Sequence, residues 1–183
     1  MNLPNIISLA RLFSVPVLVW LILTQRFDAA FWLFMAAGIS DALDGFIAKH
    51  WKKSSKLGMY LDPLADKALL MGVYITLGAI DQIPLWLAIL VVFRDLLIIG
   101  GVLMLHVSRA EFKVRTLIIS KFNTALQILL IIFVLAELSF QQGLGEVKQV
   151  AIYLIAISTI LSGGAYISSL FRDQIPETGG TAR

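Results

Sequence analysis

Residues 41–66 read DALDGFIAKHWKKSSKLGMYLDPLAD, with carboxylates at Asp41, Asp44, Asp62 and Asp66 and long apolar runs on either side. An ionised carboxylate in hydrocarbon costs about 2.5–3.5 kcal/mol even on permissive insertion scales. Four of them require compensation. Asp41 and Asp44 are three residues apart and Asp62 and Asp66 four apart, so on helices each pair shares a face. The basic linker between them carries Lys49, Lys52, Lys53 and Lys56. So short a link predicts two antiparallel helices that are neighbours near that end, where four carboxylates could converge. An all-oxygen donor set favours hard cations, Mg²⁺, Mn²⁺ or Ca²⁺, over zinc. Two such ions would offset the four charges. The bland alternative, a solvated belt of acids paired with the linker lysines, leaves the cost in hydrocarbon unexplained.

The rest of the chain supports a membrane setting. It has 183 residues, the size of one domain, and is 58% hydrophobic, with a mean hydropathy of +0.86. Soluble domains are roughly 45–50% apolar. There is no cysteine, which excludes disulfides and thiolate metal sites. The net charge of +3 is small, and a pI near 9.3 raises the question of nucleic acid. That partner is rejected, because the basic residues gather in short links between apolar spans, where topology explains them.

Six apolar segments, over residues 5–24, 32–48, 58–80, 84–106, 118–140 and 147–170, approach the ~20 residues needed to cross hydrocarbon. The first, with Arg11 and Pro16, has no basic residue before it and no small-residue cleavage site after it, which argues against a cleaved signal. Strand-like alternation and an internal repeat are both lacking. The expectation is an all-α integral membrane bundle of six transmembrane helices over 1–172, with a flexible polar tail over 173–183. The second-to-third link holds four lysines, and the fourth-to-fifth holds Arg109, Lys113, Arg115 and Lys121. The alternate links hold only Arg26 and Lys148. By the positive-inside rule both termini are cytoplasmic, and the aspartate cluster faces the cytoplasm.

Between the aspartate pairs lie Gly45, Ala48, Lys49 and Gly58. The small residues permit close approach of a ligand or another backbone, and Lys49 is placed to meet a phosphate. Carboxylates, metal, small residues and a nearby cation together suggest a diphosphate bound through metal. The pattern Asp41-x2-Asp44-Gly45-x2-Ala48-Lys49-x8-Gly58-x3-Asp62-x3-Asp66 resembles the signature of the CDP-alcohol phosphotransferase family. Seven of eight specified positions match, and the eighth, usually Arg, is Lys49. The amino-terminal Pro4-Asn5-x2-Ser8-x2-Arg11 and the six-helix layout extend the resemblance over nearly the whole chain.

The resemblance implies transfer of a substituted phosphate from a CDP-linked donor to an alcohol, with release of CMP. Asp41, Asp44, Asp62 and Asp66 would bind two Mg²⁺ or Mn²⁺ ions, with Asp66 also the general base. Asp41, Asp44, Gly45, Ala48, Lys49, Gly58 and Asp62 would line the CDP pocket. Lysine at position 49 binds phosphate as a point charge, without arginine's bidentate fork. A homodimer is also implied. A chain this apolar suits the lipid donor CDP-diacylglycerol, in a multi-pass protein of the bacterial cytoplasmic membrane.

The segments 43–51, 61–67 and 118–127 are similar to the cardiolipin-synthase branch, whose acceptor is phosphatidylglycerol. The alternative acceptor is glycerol-3-phosphate, used by the related phosphatidylglycerophosphate synthases. Arg94, beside Asp95 in mid-span, either meets the acceptor's phosphate or forms a bridge between helices. Arg115 and Lys121 are further acceptor candidates, although a plain positive-inside signal is the stronger reading of both. Two other classes compete. An intramembrane prenyltransferase would release pyrophosphate and lacks the Gly–Ala–Lys insert. A divalent-cation transporter would place its acids near the midplane.

Overall fold

The chain forms six helices in a computed structural model. It describes the backbone of residues 3–51, 58–107, 118–141, 143 and 145–173, and the side chains of 7–40, 64–101, 119–141, 143 and 145–168. The helices are α1 (Leu3–Leu23), α2 (Phe27–Trp51), α3 (Gly58–Ala79), α4 (Leu85–Val107), α5 (Ile118–Phe140) and α6 (Gly145–Asp173). No strand occurs among the described residues. Two boundaries differ from the sequence reading. Helix α2 starts earlier, with Asp28 in its first turn, where a carboxylate complements the exposed N–H groups. It also continues through Lys49, because nothing in Gly45–Trp51 breaks a helix. Pro16 lies inside α1, which runs on past it. The expected tail lies outside the described residues beyond Asp173.

Three tight turns join α1 to α2, α3 to α4 and α5 to α6. Each contains a non-glycine residue in the left-handed region, at Gln25 (φ 58°), Asp81 (φ 58°) and Gln141 (φ 52°). In the first, Arg26 N–H reaches Leu21 C=O at 2.9 Å and Gln25 N–H reaches Ile22 C=O at 3.0 Å. The second repeats the pattern, with Gln82 N–H to Leu77 C=O at 2.9 Å and Asp81 N–H to Gly78 C=O at 3.2 Å. These paired bonds satisfy carbonyls that a helix end otherwise leaves open. Residues 52–57 and 108–117, between α2 and α3 and between α4 and α5, lie outside the described residues.

The helices pack as a ring in the order α1, α2, α5, α6, α4, α3, closing back on α1, with α3 also touching α5 across the middle. The α2–α3 contact expected near the linked ends falls on residues 41–62, whose side chains lie outside the described residues. Among the described residues these two helices do not pack on each other, and each lies against α1. A short link limits the distance between helix ends, but it leaves room for a third helix to wedge between the rods. Helix α1 does so, and it packs closely. A Cβ on Gly72 would sit 3.0 Å from Val15 Cγ1.

Leu18, Ile22, Val73, Leu77, Leu87, Val91, Ile131, Val134 and Leu135 form the centre of the apolar core. Around it the usual polarity is inverted. Arg11, Arg94, Asp95, Asn123, Gln127 and Thr159 are buried, while Trp20, Trp32, Trp86, Phe93, Phe122, Leu154 and Ile160 face outward. So broad an apolar exterior marks a surface made for lipid or a partner. The stretches Ile119–Phe140 and Gly145–Ser168, in α5 and α6, are each long and apolar enough to cross a membrane.

Candidate active site

Each aspartate pair falls on one helix, as its spacing requires. Asp41 and Asp44 lie in α2, and Asp62 and Asp66 in α3. The side chains of Asp41, Asp44, Gly45, Ala48, Lys49, Gly58 and Asp62 fall outside the described residues, as does the whole of Arg115. Asp66 is described. Its carboxylate pairs with the guanidinium of Arg11, which reaches it from α1. Arg11 is 4% exposed, whereas the Asp66 side chain keeps 38% of its surface open. Ser8, one turn before Arg11, is buried as well.

A turn of about 100° per residue sends the next side chain, Lys67, toward a different wall. Its ammonium lies 2.8 Å from Asp95 Oδ2 on α4 and 3.5 Å from Thr124 Oγ1 on α5. Asp95 is fully buried and also accepts from Arg94 Nη1 at 2.5 Å. Arg94 then donates through Nη2 to Ser120 Oγ at 2.6 Å on α5 and to Ser162 Oγ at 2.5 Å on α6. Thr124 Oγ1 donates to the Ser120 carbonyl at 3.1 Å. One ion network thus ties together α3, α4, α5 and α6. Charges in such a place persist only when paired and hydrogen-bonded.

Deeper in the bundle the polar lining continues. Asn123 Oδ1 accepts from Ser158 and, at 3.0 Å, from Thr159 Oγ1. Tyr74 Oη donates to the Gln127 carbonyl at 3.1 Å. The polar face of α5 is therefore Ser120, Asn123, Thr124 and Gln127, one helical stripe. Lys121, one residue from Ser120, is exposed on another face.

Sequence reasoning named Arg94 and Asp95 but gave no role to Arg11 or Lys67. The signal was present. A lone arginine in the first apolar span and a lysine following Asp66 both need anionic partners within a bundle. Which partners they take is a matter of tertiary packing. Among the described residues no three metal-ligating side chains group together, and three of the four expected ligands lie outside the described side chains. The donor set fits hard divalent ions by its chemistry, four carboxylates in two helical pairs.

Fold and site together define an all-helical bundle with an apolar exterior and a charged interior, carrying carboxylate pairs on two of its helices. A family model described as CDP-alcohol phosphatidyltransferase matches residues 1–161. The chain belongs to that family. It is 34% identical over 181 residues to a rat (Rattus norvegicus) protein named cardiolipin synthase (CMP-forming), covering 90% of this chain and 60% of that one. It is 36% identical over 186 residues to a chloroplastic CDP-diacylglycerol–glycerol-3-phosphate 3-phosphatidyltransferase of Oryza sativa, covering 91% of this chain and 56% of that protein. A Bacillus subtilis protein named CDP-diacylglycerol–glycerol-3-phosphate 3-phosphatidyltransferase is 29% identical over 184 residues, with 91% of this chain and 94% of that one covered. The chain therefore spans about three fifths of the rat and rice relatives and nearly the full length of the bacterial one.

Proposed function

We propose that the chain is a membrane enzyme of phospholipid synthesis that transfers the phosphatidyl group of CDP-diacylglycerol to an alcohol and releases CMP. The observation that carries this reading is the aspartate motif, with one pair on α2 and one on α3, and Arg11 of α1 paired with Asp66. The acceptor is phosphatidylglycerol, as the name of the rat relative and the similarity of segments 43–51, 61–67 and 118–127 suggest. A second reading, with glycerol-3-phosphate as acceptor, draws on the end-to-end match with the Bacillus relative.

In this reading the acceptor hydroxyl gives its proton to Asp66, and its oxygen attacks the phosphatidyl phosphorus. The new P–O bond forms as the diphosphate P–O bond breaks, and the electron pair leaves on CMP. Arg11 holds Asp66 from α1, so that the carboxylate is oriented before substrate arrives. Gly45, Ala48 and Gly58 would permit close approach of the CDP group, Asp41, Asp44 and Asp62 would line its pocket, and Lys49 would meet its phosphate. Asp41, Asp44, Asp62 and Asp66 would hold two Mg²⁺ or Mn²⁺ ions, which supply charge neutralisation at the diphosphate. Arg115 and Lys121 would contribute to acceptor binding by charge, and Arg94 would act through its neighbours.

Six membrane spans with both termini cytoplasmic complete the picture. The orientation is supported by the lysines and arginines in the sequence between α2 and α3 and between α4 and α5, against the few in the tight turns. Trp20, Trp32, Trp86 and Tyr153 are exposed near the tight-turn end, where a belt of aromatic residues marks a membrane–water boundary. The membrane is the bacterial cytoplasmic one, and the enzyme is a homodimer.

The test is a reconstitution. Purified protein in mixed micelles with Mg²⁺ and CDP-diacylglycerol receives either phosphatidylglycerol or glycerol-3-phosphate, and CMP and lipid products are measured. We expect CMP and cardiolipin, with chelation stopping both. Absence of CMP with either acceptor, or metal flux across proteoliposomes without CMP, would overturn the reading.

A further inference from the structure

The ion network behind Asp66 does not balance. Arg94 and Lys67 bring two positive charges to one carboxylate, Asp95. The other described acids lie elsewhere. Asp66 is engaged by Arg11, and Asp28, Asp81, Glu137 and Glu146 lie near the tight-turn end. An excess cation inside a bundle calls for an anion.

The two cations differ in what they have left to offer. Arg94 is 3% exposed at its side chain, and both terminal nitrogens are taken by Asp95, Ser120 and Ser162. Lys67 has three N–H donors. It meets Asp95 closely and Thr124 only at the limit of hydrogen bonding. Side-chain exposure rises from 0% at Asp95 to 19% at Lys67 and 38% at Asp66. The open donor of the network therefore belongs to the residue that follows the proposed base in the chain.

We propose that Lys67, seated by Asp95 and Thr124, binds the phosphate carried by the acceptor alcohol. This rests on the transfer reaction proposed above. Phosphatidylglycerol and glycerol-3-phosphate share that chemistry, since each has a hydroxyl a few bonds from an anionic phosphate. A lysine held at its base but free at one donor suits such a ligand, because it binds phosphate as a point charge. Arg94 and Asp95 are positioning residues in this scheme. They fix the ammonium so that the acceptor's hydroxyl is delivered to Asp66.

The experiment measures KM for CDP-diacylglycerol and for the acceptor separately in wild type, Lys67→Gln and Lys67→Arg. CMP release is the readout, with phosphatidylglycerol micelles in one arm and glycerol-3-phosphate in the other. With the acceptor that the wild type uses, Lys67→Gln raises acceptor KM about 10- to 100-fold, the range for one charge-assisted hydrogen bond. Donor KM is unchanged, and Lys67→Arg recovers most of the loss. Unchanged acceptor KM, or donor and acceptor KM rising together, overturns the proposal and leaves Lys67 as a bridge between helices. If Lys67→Gln does not fold, Lys67→Met, which is apolar and keeps the Arg94–Asp95 pair intact, is read in the same way. A wild type that releases no CMP in either arm refutes the transfer reading itself, a distinct result.

Discussion

Replacing Asp95 by Asn removes the only carboxylate from the Lys67–Asp95–Arg94 network while keeping its shape. Asp95 is fully buried, and its two oxygens accept from Arg94 at 2.5 Å and Lys67 at 2.8 Å. Breaking a buried ion pair by deleting one partner costs about 3–5 kcal/mol, mostly because the other charge is stranded. Here two cations are stranded, one of them at 3% side-chain exposure. We therefore expect Asp95→Asn to lose about 3–5 kcal/mol, a large part of the roughly 5–15 kcal/mol by which folded proteins exceed their unfolded states. The control is the triple variant Lys67→Met/Arg94→Met/Asp95→Leu, which strands nothing and regains most of the loss. Equilibrium unfolding in mixed micelles at rising SDS fraction, followed by tryptophan fluorescence and helix content, measures both. An Asp95→Asn curve that overlays the wild type would refute this account. So would a triple variant as unstable as the single one.

Other substitutions probe separate parts of the structure. Gly101→Ala directs a methyl group into the Tyr166 hydroxyl and ring. It should destabilise by about 1–3 kcal/mol, as overpacking does, with part of the loss recovered by Tyr166→Phe. Gly100→Ala meets nothing within 4 Å and should unfold like the wild type, so equal effects at the two positions would discredit the packing. Gln25→Gly relieves a left-handed residue at φ 58° and should raise stability by up to about 1 kcal/mol in the same SDS titration. Asp66→Asn should nearly abolish CMP release while donor binding, followed by equilibrium dialysis of labelled CDP-diacylglycerol in micelles, is largely kept. Wild-type turnover in that variant removes Asp66 as the base.

The helices themselves were legible because apolar runs of membrane length separated by polar links leave little freedom. The pairing of Asp41 with Asp44 and of Asp62 with Asp66 on helix faces was equally plain, since it depends only on a 3.6-residue turn. The lateral order of the helices was not. A short link between α2 and α3 speaks only for their linked ends, and over the described residues packing at Gly72 sets α1 against α3. The partners of Arg11 and Lys67 were hidden for a related reason. Asp66 is 55 residues from Arg11 and Asp95 is 28 from Lys67. Local spacing states that these charges need partners, while only the ring order states which ones they receive. The turn residues Gln25, Asp81 and Gln141 also escaped notice, because the left-handed conformation is commoner for glycine and asparagine.

The ring order has a bearing on how the protein is made. As the chain emerges, α1 and α2 can pair at once, α3 can dock on α1, and α4 on α3. The free flanks of α2 and α4 then wait for α5 and α6. Arg94 waits with them, since its partners Ser120 and Ser162 lie 26 and 68 residues further along. A nascent chain halted before α6 would hold the Arg94 guanidinium with its hydrogen bonds incomplete, so the docking of α6 and the full satisfaction of that charge are a single event.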